Sequence, residues 1–186
     1  MPDNKLHIEN GPDASNLVGS EERMIWELLG NINDPEVPVL SILDLGIVRK
    51  VEMEEADESG ERGVAITITP TYSGCPAMDV IQMRIRMDLL VNGYKRITLK
   101  QALKPVWTTD WMTESGKEKL KAYGIAPPSP VPQVCHQELF AANEAIQCPH
   151  CNSYHTQRVS EFGSTACKSL YQCHDCLEPF DYFKCH

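Results

Sequence analysis

Seven of the eight cysteines in this 186-residue chain lie in its last 52 positions, and four of them form two knuckles, Cys148-Pro149-His150-Cys151 and Cys173-His174-Asp175-Cys176, with 21 residues between them. A Cys-x-x-Cys loop presents two thiolates to one tetrahedral ion, and two such loops at this spacing are a specific signal for a metal ribbon. The stretch between them holds two strand-like runs, Tyr154–Val159 and Ser169–Gln172, which suit a small sheet gripped at one end by the ion. A unit of roughly 40 residues buries too little apolar surface to fold unaided and takes its stability from the metal. Structural zinc is expected in preference to rubredoxin-like iron.

The same cysteines read as ligands rather than disulfides because the rest of the sequence points to a reducing compartment. The first 19 residues show no cationic start followed by an apolar stretch, so no signal peptide is expected. No run approaches the roughly 18 apolar residues of a membrane span, and mean hydropathy is −0.31. A cytoplasmic protein away from membranes is therefore expected. The formal charge of −9 disfavours nucleic acid as a partner. Residues 148–186 carry only 3 basic and 4 acidic groups, so the acidity belongs to the preceding region, where it suits contact with proteins.

That region has the pattern of a small α+β domain. Residues 1–19 are polar and read as a mobile tail. From Ser20, a candidate cap, the residues Met24, Ile25, Leu28, Leu29 and Ile32 recur at helical steps behind Glu21 and Glu22. Asn33-Asp34-Pro35-Glu36-Val37-Pro38 must then leave the helix, because each proline lacks a donor and forces its predecessor extended. A strand is expected within Ile42–Met53 and another at Val64–Thr69, joined by an acidic loop over Glu54–Glu61 that reads as solvated surface. Pro76 opens a second helix from Ala77 to Leu90 with Val80, Ile81, Ile85, Leu89 and Leu90 on its apolar side. A third strand over Arg96–Leu103 and a short helix ending at Tyr123 complete the order α-β-β-α-β-α across residues 20–125. Four prolines between Pro127 and Pro132 begin a stiff spacer, taken as residues 126–147, before the ribbon of residues 148–186.

Outside the ribbon the candidate chemistry centres on Cys75. It sits at the expected helix start behind Ser73-Gly74, where the positive end of the helix would lower its pKa and favour a thiolate fit for metal delivery or nucleophilic attack. No histidine is near it in sequence, which weighs against covalent catalysis. Cys135, Cys167 and Cys185, with His136 and His186 beside the first and last, are enough with Cys75 for a second cluster, although solitary thiols are usually small buried hydrophobes. Asp34 and Glu36 are candidate ligands, with capping the more ordinary duty. His150 and His174 read as surface side chains within the knuckles, and Trp107 and Trp111 as core or as a partner's anchor. No phosphate-binding loop, dinucleotide fingerprint or H-E-x-x-H is present, so a self-contained enzyme is not expected.

Two segments carry a family resemblance: Asp34-Pro35-Glu36-Val37-Pro38-Val39-Leu40-Ser41-Ile42-Leu43-Asp44-Leu45-Gly46 and Thr69-Pro70-Thr71-Tyr72-Ser73-Gly74-Cys75-Pro76 resemble SufT-like and cytosolic iron–sulfur assembly domains. With Trp107-Thr108-Thr109-Asp110-Trp111-Met112-Thr113, the run Glu161–Lys168 and the ending Glu178–Cys185, the chain from about residue 20 onward resembles the PaaD (PaaJ) family. The resemblance implies an accessory protein of the phenylacetyl-CoA 1,2-epoxidase system of aerobic phenylacetate degradation, in which a di-iron oxygenase and an iron–sulfur flavin reductase carry the chemistry. It implies that Cys75 is the family's reactive cysteine, with Asp34 and Glu36 its acidic motif. The expected role is maturation: Cys75, alone or paired with its counterpart in a homodimer, transiently holds iron or an iron–sulfur cluster while the ribbon docks the oxygenase or reductase component. A non-catalytic structural subunit of the same complex is the alternative. The polar tail and the acidic loop depart from the shortest family members.

Overall fold

The computed structural model describes residues 19–58, 60, 62–128 and 146–184. The expected tail up to residue 18 and most of the expected spacer, together with Cys135, His136, Cys185 and His186, lie outside them. Helix α1 (Ser20–Gly30) carries Glu21 and Glu22 in its first turn and buries Ile25 and Leu29 one turn apart. Gly19, rather than Ser20, holds the cap position, and no side chain bonds there.

Strands β1 (Val48–Glu54) and β2 (Gly63–Ile68) pair antiparallel through the acidic loop, and β2 pairs parallel with β3 (Arg96–Gln101), giving the order β1-β2-β3. A parallel neighbour requires a crossover, and α2 (Ala77–Val91) supplies it. The helix buries Ala77, Met78, Ile81, Ile85 and Leu89. Leu90, expected on that stripe, is 54% exposed, because a further step of 100° carries it past the sheet-facing side. Val64, Ile66 and Ile68 alternate into the core at the period of a strand.

The chain between α1 and β1 is as buried as the regular elements: Ile32, Val37, Leu40, Ile42, Leu45 and Ile47 are all at most 2% exposed. Asp44 organises it. Its carboxylate accepts from the Ser41 backbone at 2.9 Å, the Ser41 hydroxyl at 2.8 Å and the Lys119 ammonium at 2.6 Å. Gly46 follows with φ 66°, and a Cβ there would run into the Trp111 carbonyl. A 3-10 turn (Thr109–Trp111) and helix α3 (Glu114–Ala122), capped by the Thr113 hydroxyl accepting from Gly116 N–H at 2.9 Å, complete the expected order.

The ribbon is a four-stranded sheet in the order β4-β7-β6-β5. Strands β5 (Thr156–Ser160) and β6 (Lys168–Cys173) correspond to the two expected runs. Strand β7 (Pro179–Phe183) was not expected, and β4 (Ile125–Ala126) lies where the spacer was expected to begin, pairing parallel with Asp181 and Tyr182. The two units are therefore stitched by a shared sheet. Strands β6 and β7 run between the metal knuckles at one end and the first unit at the other. There Cys167, 4% exposed, and Phe183, 1% exposed, enter the same buried cluster as Trp107, Leu45 and Leu120. Trp107 meets the Phe183 ring edge-on at 6.3 Å between centroids and donates from Nε1 to the Leu45 carbonyl at 2.8 Å. Among the described residues no helix is long and apolar enough to cross a membrane.

Candidate functional site

The four knuckle cysteines converge. Their sulfurs lie within 4.8 Å of one another, Cys148 to Cys176 at 3.7 Å and Cys151 to Cys173 at 3.5 Å. A tetrahedral ion with metal–sulfur bonds of about 2.3 Å requires sulfurs about 3.8 Å apart, so the donor set fits a metal ion of that kind. Backbone N–H groups of Cys176 and Asp175 aimed at its sulfur bring the Cys173 thiol down to about 7, whereas the thiols of Cys148, Cys151 and Cys176 are raised, so metal binding there would release protons. His150 and His174 stand exposed at the knuckle tips. The His174 ring lies tilted against that of His155, with centroids 4.8 Å apart, and the His155 ring meets the Asp175 carboxylate at 3.0 Å.

A second constellation forms where the ribbon meets the first unit. Asp34, Glu36, Val37 and Leu45 from the loop after α1, Thr71 and Cys75 from the turn before α2, and Cys167 and Phe183 from the ribbon line one small cavity of about 10 Å³. Each arrives for a local reason. The Asp34-Pro35 sequence turns the chain, and the Asp34 carboxylate accepts from the Glu36 and Val37 N–H groups at 2.7 and 2.8 Å, so its expected capping duty is what the geometry shows. Gly74, at φ 87°, makes the turn that sets Cys75 ahead of Pro76 and Ala77. Cys167 is fixed at the start of β6 by the Lys184 N–H donating to its carbonyl at 3.0 Å and by the Thr165 hydroxyl 3.1 Å from its sulfur.

The electrostatics correct one expectation. The Cys75 thiol is raised from its ordinary pKa, first by burial and then by Glu36 and Asp34, and the N–H of Ala77 at the helix start and a hydrogen bond with Tyr72 offset this only in part. The helix end thus loses to desolvation and two carboxylates. Burial with the same two acids pushes Cys167 up to about 11, against the pull of Thr165 and Lys168. Asp34 is raised by burial, opposed by its two N–H donors and Lys168. The Lys168 ammonium, on a residue 4% exposed, lies 3.4 Å from the Glu36 carbonyl and 3.6 Å from Asp181. Burial and the two neighbouring acids therefore work against the thiolate form of both cysteines on this cavity.

Of the residues singled out in the sequence, Cys75, Asp34 and Glu36 meet here. Cys167, read only as one of several loose thiols, joins them, with its sulfur 3.8 Å from the Glu36 carboxylate. Lys168, Tyr72 and Phe183 were missed as site residues, although each lies within a segment that carries the family resemblance. Trp107 belongs to the core, and Trp111 lies under the Arg49 guanidinium at 3.6 Å.

Comparison with known proteins matches two segments of the chain. Residues 22–97 match the family described as iron–sulfur cluster assembly protein, and residues 132–184 match the PaaD zinc beta ribbon domain. A protein of Escherichia coli (strain K12), provisionally named as a component of 1,2-phenylacetyl-CoA epoxidase, is 50% identical over 161 residues, covering 87% of this chain and 91% of its own. An Fe-S protein maturation auxiliary factor of Porphyromonas gingivalis (strain ATCC BAA-308 / W83) is 33% identical over 53% of this chain and 90% of its own. The crystal structure of a domain of unknown function, DUF59, from Bacillus anthracis is 29% identical over 53% of this chain and 90% of its own, with a TM-score of 0.46.

Proposed function

The chain belongs to the PaaD family, whose Escherichia coli member is named for 1,2-phenylacetyl-CoA epoxidase, and on that premise we propose that it is an accessory maturation factor for the epoxidase, handling iron or an iron–sulfur cluster bound for the oxygenase or reductase component. The observation that carries this reading is the convergence of Cys75, Asp34 and Glu36 on one cavity roofed by the ribbon. Thiols held protonated beside carboxylates accept a cation with release of protons and return it when protons are restored, which is what reversible carriage needs. Zinc in the four-cysteine site holds the ribbon folded, and the ribbon's outer side docks the recipient. The chain works in the cytoplasm, where its thiols stay reduced.

The test is co-expression of oxygenase and reductase with the wild-type chain or with Cys75→Ala, followed by quantification of iron and sulfide in the purified recipients. Iron content of at least one recipient is expected to fall severalfold. Full loading with wild-type epoxidase turnover would overturn the carrier reading. A second reading, a non-catalytic structural subunit, is favoured by one observation: Met83, Met87, Leu90 and Val91 leave an apolar strip on α2 that is 54 to 86% exposed. It predicts stoichiometric co-purification with the epoxidase through turnover.

A further inference from the structure

Independently of both readings above, we propose that the outer face of α2 is a self-association seam that receives α2 of a second copy of this chain, the two helices running parallel. Helix α2 is apolar on two sides. Ala77, Met78, Ile81, Ile85 and Leu89 are buried, whereas Met83, Met87, Leu90 and Val91 are each more than half exposed. At 3.6 residues per turn these four and the half-buried Val80 fall within an arc of about 100°, on the side opposite the buried stripe. A soluble helix needs one apolar stripe for its own core, so the second is a surface to be covered. Val80, Met83, Met87 and Leu90 follow one another at steps of three, four and three, the a-d-a-d pattern of a two-helix seam. A β-branched residue at a and leucine at d favour two parallel strands, and methionine adapts its shape to a facing copy of itself.

The charges beside the seam select the occupant. Asp79 and Arg84 border it on opposite sides, both exposed, and neither has a hydrogen-bond or ionic partner among the described residues. Arg86, on the side of Asp79, is already engaged with the Ile97 carbonyl at 3.3 Å. In a parallel pair the residue before an a position faces the residue after the next d position on the other helix, so Asp79 of each copy meets Arg84 of the other. Within one helix the two are five residues apart and do not face each other, which leaves their opposite charges for a contact between helices. An antiparallel pairing centred between Met83 and Met87 would instead set Arg84 beside its own counterpart, a like-charge contact. The formal charge of −9 opposes self-association, but physiological salt screens exposed charges beyond about 8 Å, a range within which the seam's pairs lie. Parallel helices begin at the same end, so the two Cys75 turns, directly before each α2, sit together at one end of the dimer.

The experiment is sedimentation velocity on the full-length chain with its ribbon metal retained, over a dilution series from millimolar to micromolar. The wild type should pass from dimer to monomer on dilution. Leu90→Glu and Met87→Glu each place an acid in the seam and should raise the dissociation constant at least about tenfold. Both positions are more than half exposed, so the variants should fold, which circular dichroism checks. Asp79→Arg alone and Arg84→Asp alone should each weaken association about tenfold, since each turns two attractive pairs into repulsive ones. Combining the two exchanges should bring the dissociation constant back near the wild-type value. A wild type that stays monomeric at every concentration overturns the proposal. So does a Leu90→Glu variant with the wild-type dissociation constant, or a double exchange that associates no better than the single ones. A monomeric wild type whose co-purification with the epoxidase is lost in Leu90→Glu would assign the strip to a different protein, and that result also overturns the self-association seam.

Discussion

Phe183→Ala tests whether the ribbon and the α+β unit are one cooperative structure. Phe183 belongs to the ribbon's last strand, is 1% exposed, and sits edge-on to Trp107 at 6.3 Å in the first unit's core. Truncating a fully buried phenylalanine costs about 3–5 kcal/mol in lost burial and cavity formation. With a urea m-value of about 2 kcal/mol/M for a domain of this size, the midpoint should fall by about 1.5–2.5 M. The three tryptophans, Trp26, Trp107 and Trp111, all precede the ribbon, so their fluorescence reports on the first unit alone. If the units were independent, a ribbon substitution would leave that transition in place. An unmoved fluorescence midpoint, with ribbon metal retained, would refute the shared core. A double-mutant cycle with Trp107→Phe should then return a coupling of about 0.5–1.5 kcal/mol.

Stripping the ribbon's metal with a strong chelator at neutral pH should release one ion per chain and expose Cys167, which is 4% exposed in the folded protein; mass spectrometry should find Cys167 alkylated much faster in the stripped form, and equal rates would show that the ribbon holds its shape without the ion. Asp44→Asn removes a charge bonded to Lys119 at 2.6 Å and to Ser41, a loss of about 2–3 kcal/mol at pH 7. The pH dependence has a definite sign. Burial works to raise the Asp44 carboxyl, but Lys119 and the Ser41 donors outweigh it and hold it below its ordinary value. Its contribution is therefore present above an unfolded pKa of about 3.9 and is lost as pH falls through the lower folded value. Denaturation curves of wild type and Asp44→Asn should converge over that acid range, and a gap that stays constant would rule out the charge as its source.

Local pattern made much of the fold legible. The knuckle spacing announces the metal site because Cys-x-x-Cys is a contact within one turn. The order from α1 to α3 follows from periodicity and from proline and glycine punctuation, each of which acts over a few residues. What was not legible depends on distant partners. Strand β7 begins at Pro179 and carries Asp181, which read as breakers until Tyr171 is seen stacked on Phe180 with ring centroids 5.8 Å apart and pairing antiparallel with it. Strand β4 is two residues long and exists only because Asp181 and Tyr182 lie beside it. The direction of the Cys75 shift was misread for the same reason. The helix end that lowers it is local, whereas Glu36 and Asp34 arrive from about 40 residues away.

The composition of the junction argues about its purpose. An interface that served only to join two units would be most stable lined with aliphatic side chains, since buried ionisable groups cost free energy even when paired. Leu45, Val37 and Phe183 provide such a lining, yet they surround Asp34, Glu36, Cys75, Cys167 and Lys168. Asp34 and the two thiols are each displaced by burial toward their uncharged forms, so the fold tolerates these groups rather than gaining from them. Departures from local stability of this kind are expected where a site has a chemical duty. Replacing Glu36 and Cys167 by apolar residues of similar size would be expected to strengthen the junction. The ribbon therefore contributes to the junction a second buried thiol, Cys167, beside the Cys75 of the first unit.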